Sequence, residues 1–209
     1  MTIKNYFQII NLYPLFWPRI HVFLRSIILP ISQIENLLPK NGSILDVGCG
    51  YGFTSIFFAV KNKNRQIFAS EINPKKVLLA KKVSSSISNL SFEISDLINK
   101  NKSGFDAIVA IDLFHHINDF QKKAFLKDSF SKLKSNGFLI IKDIDTKPLL
   151  KYFWNYLHDL IVTKFSKLYF LSSKQMENIL TKNNFKIIKK GEYPNLFYPH
   201  IFYVCQKNP

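Results

Sequence analysis

Cysteine is nearly missing from this chain of 209 residues: Cys49 and Cys205 are its only two. Two cysteines far apart give no disulfide framework and no metal-ligand spacing, so no metal is expected. A reducing, cytoplasmic setting is the expectation that follows. Acid is also scarce, with 14 Asp and Glu against 29 Lys and Arg, for a formal net charge of +15. Such a balance suits nucleic acid, an anionic membrane surface or an acidic substrate. The lysines, however, come singly or in pairs, as at Lys75-Lys76, Lys122-Lys123 and Lys189-Lys190, without a run of five, and we read most of them as solvated faces. No uninterrupted apolar stretch approaches the ~20 residues that span a bilayer. The opening also lacks a basic leader and a small-residue cleavage site, so no signal peptide is expected.

Glycine is sparse too, at seven residues, which makes the placing of three of them informative. Ile44-Leu45-Asp46-Val47 runs straight into Gly48-Cys49-Gly50-Tyr51-Gly52, and Phe53, Ile56, Phe57 and Val60 then recur at helical spacing. This reads as strand, glycine turn, helix. Such a junction lets backbone approach a ligand and aims helix N–H groups at an anion. The dinucleotide pattern G-x-G-x-x-G needs its third glycine one position later, where Phe53 stands. Further along, Gln66 to Glu71 reads as a strand ending in an acid, and Asn73-Pro74 opens a helix with Asn as cap and Pro at its first position. Leu90 to Ile94 alternates like a strand before Ser95-Asp96, and Phe105 to Asp112 is an apolar run suited to a central parallel strand. Leu113-Phe114-His115-His116 follows it.

Asp46-x-Gly48-x-Gly50-x-Gly52 resembles motif I of the class I S-adenosylmethionine (SAM)-dependent methyltransferases, and the later strand ends fit the same family, resembling its bacterial small-molecule type. The resemblance covers about residues 40 to 207. It implies an α/β fold: a three-layer αβα sandwich on a Rossmann-like, seven-stranded, mostly parallel sheet with an antiparallel last strand. It implies SAM as cofactor, held by Asp46, Gly48, Cys49, Gly50, Gly52, Glu71, Ile72, Asp96, Leu97, Asp112 and Leu113. In that frame Glu71 accepts the ribose hydroxyls and Asp96 meets the adenine amino group. We expect one domain over 1–209, with a helical extension or lid at 1–40 and the Rossmann-like core at 41–209.

Within the extension, Ile20, Phe23, Leu24, Ile27 and Ile28 form one helical stripe with Arg19, His21 and Arg25 off it. A core-packed lid is the favoured reading of residues 18–28, and peripheral membrane contact is the other. Residues 121–134 read as a helix closed by Asn136-Gly137, and Phe138 to Asp145 as a buried strand ending in acid. Pro148 starts a helix with Leu149, Phe153, Leu157 and Ile161 on one side and Asn155, His158 and Asp159 on another. Ser172-x-x-Gln175 is a capping box, and 185–190 and 200–205 are the last strands.

His115 and His116, with Asp143 to orient one of them, are the candidate catalytic residues, since a near-neutral His suits removal of a hydroxyl proton. Phe114, Asp145, Trp154, Asn155 and His158 are the candidate substrate-binding residues. The chain lacks the (Asn/Asp)-Pro-Pro-(Tyr/Phe) of base N-methylation, and neither cysteine is placed for cytosine chemistry. A small-molecule acceptor with apolar, aromatic or lipid-like parts, methylated on oxygen, is therefore expected. RNA methylation using the basic surface, and a SAM-binding partner subunit without catalysis, stand as alternatives.

Overall fold

Runs of Ile, Val, Phe and Ala with interspersed acids make strands, and the caps between them make helices where the patterns require. The computed structural model describes residues 3–95, 103–163 and 165–207. Asp96 and Leu97 lie outside the described residues. The chain divides into two compact units, residues 1–100 and 101–209.

In the first unit, β1 (Gly42–Val47) pairs in parallel with β2 (Arg65–Glu71), and β2 with β3 (Leu90–Ile94). Helix α4 (Phe53–Lys61) is buried at seven consecutive positions from Phe53 to Ala59, and its two buried polar side chains, Thr54 and Ser55, find a hydrogen-bond partner in Asp46. Helix α5 (Pro74–Val83) starts as its sequence predicts, the Asn73 side chain accepting from the amides of Lys75 and Lys76. Before β1 come α1 (Ile3–Asn11), α2 (Phe16–Ile28) and α3 (Ile31–Glu35).

In the second unit, β4 (Phe105–Ile111) pairs in parallel with β5 (Leu133–Ile144), with Ile111 opposite Lys142. Strand β7 (His200–Lys207) runs antiparallel to both β5 and β6 (Phe185–Tyr193). Helices α6 (Asp119–Lys132), α7 (Leu149–Val162) and α8 (Ser173–Lys182) complete it. The strand order β3-β2-β1-β4-β5-β7-β6 makes one seven-stranded mixed sheet flanked by helices. This is the expected architecture, with β7 as the antiparallel strand. Among the described residues no helix is long and apolar enough to cross a membrane.

Several expected boundaries move. Helix α6 begins two residues earlier than expected, because Asn118 and Gln121 form a capping box, and it ends at Lys132. Asn136-Gly137 therefore does not close the helix; it falls within the span of β5. A Cβ on Gly137 would stand 2.9 Å from the Phe105 carbonyl oxygen, so close backbone approach is what this glycine serves.

The outward stripe of α2 is a larger correction. Phe23, Leu24 and Ile27 are exposed, while Pro18 and Val22 are the buried residues of the helix. The stripe thus is not core-packed as expected. The extension is instead fastened by other groups. Tyr13, fully buried, donates its hydroxyl to the Tyr51 carbonyl at 2.7 Å, and Arg19 Nε donates to the Tyr13 carbonyl. Tyr6 stacks on Phe57 and His21 meets the Tyr51 ring edge-on. A helix held by its ends and one short face leaves its apolar stripe to solvent.

Candidate functional site

The glycine loop belongs to the first unit. Strand β1 ends in Asp46-Val47, and the amides of Gly48 and Cys49 both donate to the Ser70 carbonyl of β2. Gly52, the cap of α4, has φ 84°, and a Cβ there would stand 2.7 Å from the Phe92 ring. Only glycine fits that position. Gly50 differs: its φ is also positive, at 59°, but a Cβ would meet nothing within 4 Å. At Gly50 the backbone borders open space. Here a ligand can approach the chain.

The acids around this loop have distinct partners. Asp46 is buried, and its Oδ2 accepts from Thr54 Oγ1 at 2.8 Å and Ser55 Oγ at 2.6 Å. Burial raises its pKa, against the two hydroxyl hydrogen bonds and Arg25. Asp46 thereby fastens the first turn of α4 to the end of β1. Glu71 accepts from the Gly50 amide through Oε2 and from the Asn73 amide through Oε1, each at 2.9 Å. A carboxylate oxygen accepts about two hydrogen bonds, so each retains capacity for a ribose hydroxyl. Ile72, just beyond, is exposed. Burial, then Asp46 and Glu71, pushes the Cys49 thiol well up, which removes it as a nucleophile at neutral pH. An open backbone at Gly50 beside an acid with spare acceptors fits the ribose of SAM.

The second unit holds a buried polar row built on the ends of β4 and β5. Asp112 takes a positive φ of 53°, its amide donates to the Lys142 carbonyl, and its Oδ1 pairs with Lys142 Nζ. Lys142 is fully buried. A lysine interrupting Phe138-Leu139-Ile140-Ile141 was the sequence signal for this pair, and sequence reasoning passed it over. Asp143, also buried, accepts the amides of Phe114, His115 and Ile144, and its Oδ1 lies 2.5 Å from His115 Nδ1. The expected orientation of one histidine by an acid of this strand is present, and the histidine is His115.

His115 is held on three more sides. Its Nε2 lies 3.4 Å from Asp159 Oδ2 of α7. Its ring stacks on Phe170 at 5.0 Å, and His116 lies 4.0 Å away. Burial acts to lower the His115 pKa, but Asp143, then Asp159 and Asp112, outweigh it and the net direction is up. Burial raises Asp143, yet His115 and the Ile144 amide leave its carboxyl below the usual range. Both directions favour the charged forms, an imidazolium facing a carboxylate. Asp159 has a raised pKa, from burial first, against His115. Its Oδ2 also accepts from Asn155 Nδ2 at 2.6 Å, and Asn155 is buried. Asp159 was noted only as the helical neighbour of Asn155, so its part in this row is one that spacing alone did not assign.

Other predicted substrate residues lie elsewhere. Phe114 is not at a mouth but fully buried, edge-on to Phe125 at 5.3 Å. Asp145 turns to α8, its Oδ1 accepting the Thr146 and Ser173 amides. Leu113 is half-buried and His116 is exposed. Trp154 is exposed and lies against Phe197, and His158 is half-exposed beside Tyr198. Segment 165–171 is drawn onto the row by the Tyr169 amide, which donates to the His115 carbonyl, and by Lys122 Nζ, which donates to the Tyr169 carbonyl.

Residues 16–190 match the family model of a methyltransferase domain. Over 83 residues the chain is 40% identical to the ribosomal RNA small subunit methyltransferase G of Mycoplasmopsis pulmonis (strain UAB CTIP), a match covering 38% of this chain and 36% of that protein. Over 120 residues it is 28% identical to the (S)-coclaurine N-methyltransferase of Papaver somniferum, covering 56% and 34%. The matched stretches thus span about a third of the length of these curated relatives. The crystal structure of magnesium protoporphyrin IX methyltransferase (ChlM) from Synechocystis PCC 6803 with bound SAH aligns at a TM-score of 0.63 and 20% identity, over 89% of this chain and 82% of that one. At that identity the likeness concerns the fold.

Proposed function

The chain belongs to the methyltransferase-domain family of SAM-dependent enzymes, and from that membership we propose that it methylates a hydroxyl of a small molecule with apolar or aromatic parts. SAM, when bound, supplies a methyl group already activated on a sulfonium, so the protein chiefly positions and moves a proton. Glu71 receives the ribose hydroxyls, the Gly48–Gly52 backbone lets the cofactor close in, and Ile72 offers an apolar face. Asp96, Leu97, Asp112 and Leu113 keep the roles that the motif resemblance implies.

The observation that carries the reading is the row Asp143–His115–Asp159. Asp143 fixes Nδ1 and the ring plane, and its charge favours the protonated form of His115. Asp159 faces it at 3.4 Å, long for a charge-assisted contact, so its carboxylate retains accepting capacity. Burial raises its pKa above the ordinary carboxylate value, which strengthens it as a proton acceptor. The acceptor's O–H proton passes to Asp159, and His115 steadies the negative charge that develops on that oxygen. The base is thus Asp159 where the motif pointed to the histidines; His115 and Asp143 hold and charge-balance it. Asn155 fixes the Asp159 carboxylate.

The test uses methyl-labelled SAM with a panel of hydroxyl, amine and carboxylate acceptors. For the accepted hydroxyl compound, Asp159→Asn and His115→Gln should each lower single-turnover rates by about 10²–10⁴, the span of acid–base catalysis, with SAM affinity unchanged. Variants with wild-type rates and pH profiles would show that transfer proceeds by proximity alone. RNA as acceptor is the second reading. The +15 charge and the segment shared with a ribosomal RNA methyltransferase favour it, and its test is sub-micromolar RNA binding that persists at physiological salt.

A further inference from the structure

Helix α7 is inverted. A surface helix normally turns its apolar stripe to the core and its polar stripe to water. In α7 the polar stripe faces in: Asn155 is buried, Asp159 faces His115, and Tyr152 and Tyr156 meet the Phe170 ring that stacks on His115. The outward residues are Leu149 (73% exposed), Leu150 (83%), Phe153 (59%), Trp154 (54%), Leu157 (41%) and Ile161 (68%). At about 100° per residue these six occupy an uninterrupted arc of about 140°. Phe197, half-exposed, extends the surface from the β6–β7 connection through its contact with Trp154. Soluble monomers rarely leave so continuous an apolar face bare.

We propose that the outward face of α7 docks on an anionic lipid bilayer, with the helix lying in the plane of the surface. Charge complementarity selects this occupant. In the sequence between residues 147 and 174 stand five lysines (Lys147, Lys151, Lys164, Lys167, Lys174) and a single acid, Asp159, whose carboxylate faces inward to His115 and Asn155. Leu, Phe and Trp beside lysines is the composition of an interfacial helix, apolar groups in the acyl boundary and ammonium groups among phosphates. At 14 residues α7 is about 21 Å long, too short to span and suited to lying flat. A second copy is a poor occupant, because each chain carries a net charge of +15 and the two faces would meet lysine to lysine. In the first unit α2 independently turns Phe23, Leu24 and Ile27 outward. Docking does not rest on the acceptor assigned above, and it is read without turnover.

Trp17 and Trp154 are the only tryptophans, so Trp17→Phe leaves Trp154 as sole reporter. Mixed with vesicles of equal phosphatidylglycerol and phosphatidylcholine at 0.15 M salt, this protein should cosediment and its emission shift to the blue. Pure phosphatidylcholine should bind at least tenfold more weakly. A Leu150→Glu, Phe153→Glu double variant should lose at least tenfold in vesicle binding while keeping its thermal midpoint and SAM affinity, since both side chains are exposed. No binding to anionic vesicles, wild-type binding by the double variant, or concentration-dependent dimerisation that the same substitutions abolish would each overturn the proposal, the last in favour of a second copy.

Discussion

A buried histidine between two carboxylates is an expensive arrangement unless each charge is answered. Asp143 is answered four times, by three amides and by His115. Breaking one side of such a buried pair typically costs about 3–5 kcal/mol, because the partner is left charged and uncompensated; Asp143→Asn should fall in that range in urea unfolding. The pH dependence follows from the two directions. His115 is raised above its ordinary 6.5, so its stabilisation is whole below that value and fades as pH climbs through the folded pKa. Asp143 is lowered below its ordinary 3.8, so its share is whole above that value and fades as pH falls through the folded pKa. Unfolding free energies measured from pH 4 to 9 should therefore decline on the alkaline side in the wild type, and His115→Gln should remove that decline. A flat difference between the two proteins would mean that His115 is neutral. At Glu71, removal of the ribose acceptor in Glu71→Ala should weaken SAM binding by about 1.5–3 kcal/mol, as for hydrogen bonds to charged groups. Calorimetry on the folded variant showing unchanged affinity would take Glu71 out of the cofactor site.

The strand–loop–helix element permits a contrast between two glycines. Both have positive φ, which charges any L-residue about 1–2 kcal/mol. At Gly52 a Cβ also strikes the Phe92 ring at 2.7 Å, so Gly52→Ala should lose about 1–3 kcal/mol more through overpacking. At Gly50 the added methyl meets nothing within 4 Å. Gly50→Ala should then lose little stability beyond its φ penalty but should bind SAM distinctly more weakly, because the methyl occupies the space through which a ligand reaches the backbone. Thermal melts and calorimetry on both variants separate the effects; equal SAM affinity for Gly50→Ala and wild type would mean that the open space is not the ligand's.

At the scale of the whole molecule the charge is large but dispersed. The lysines come singly or in pairs with no run of five, so generic single-stranded RNA should bind more weakly than micromolar at physiological salt and lose affinity steeply with added salt. A sub-micromolar complex that tolerates salt would promote RNA to acceptor. The lysines flanking α7 in the chain suit a flat anionic surface.

Local rules in the sequence determined much of this protein. The three alternate glycines, the Asn73-Pro74 start, the Ser172–Gln175 capping box and the strands ending in acid depend on neighbours a few residues away, and each is where its residues put it. The resemblance to the family lay in that same local string, and the domain match over residues 16–190 bears it out. Periodicity also established that Asn155 and Asp159 share one face of α7 and the leucines another, but it carries no sign. Which face turns inward depends on the partner, and only the fold brings the end of β5 and the ring of His115 to the polar one. Tertiary structure likewise turned Asp145 to α8, buried Phe114 against Phe125 and matched Lys142 to Asp112. Each of these pairs joins elements distant in the chain, and a charge or ring buried by one takes its meaning from the group the other supplies.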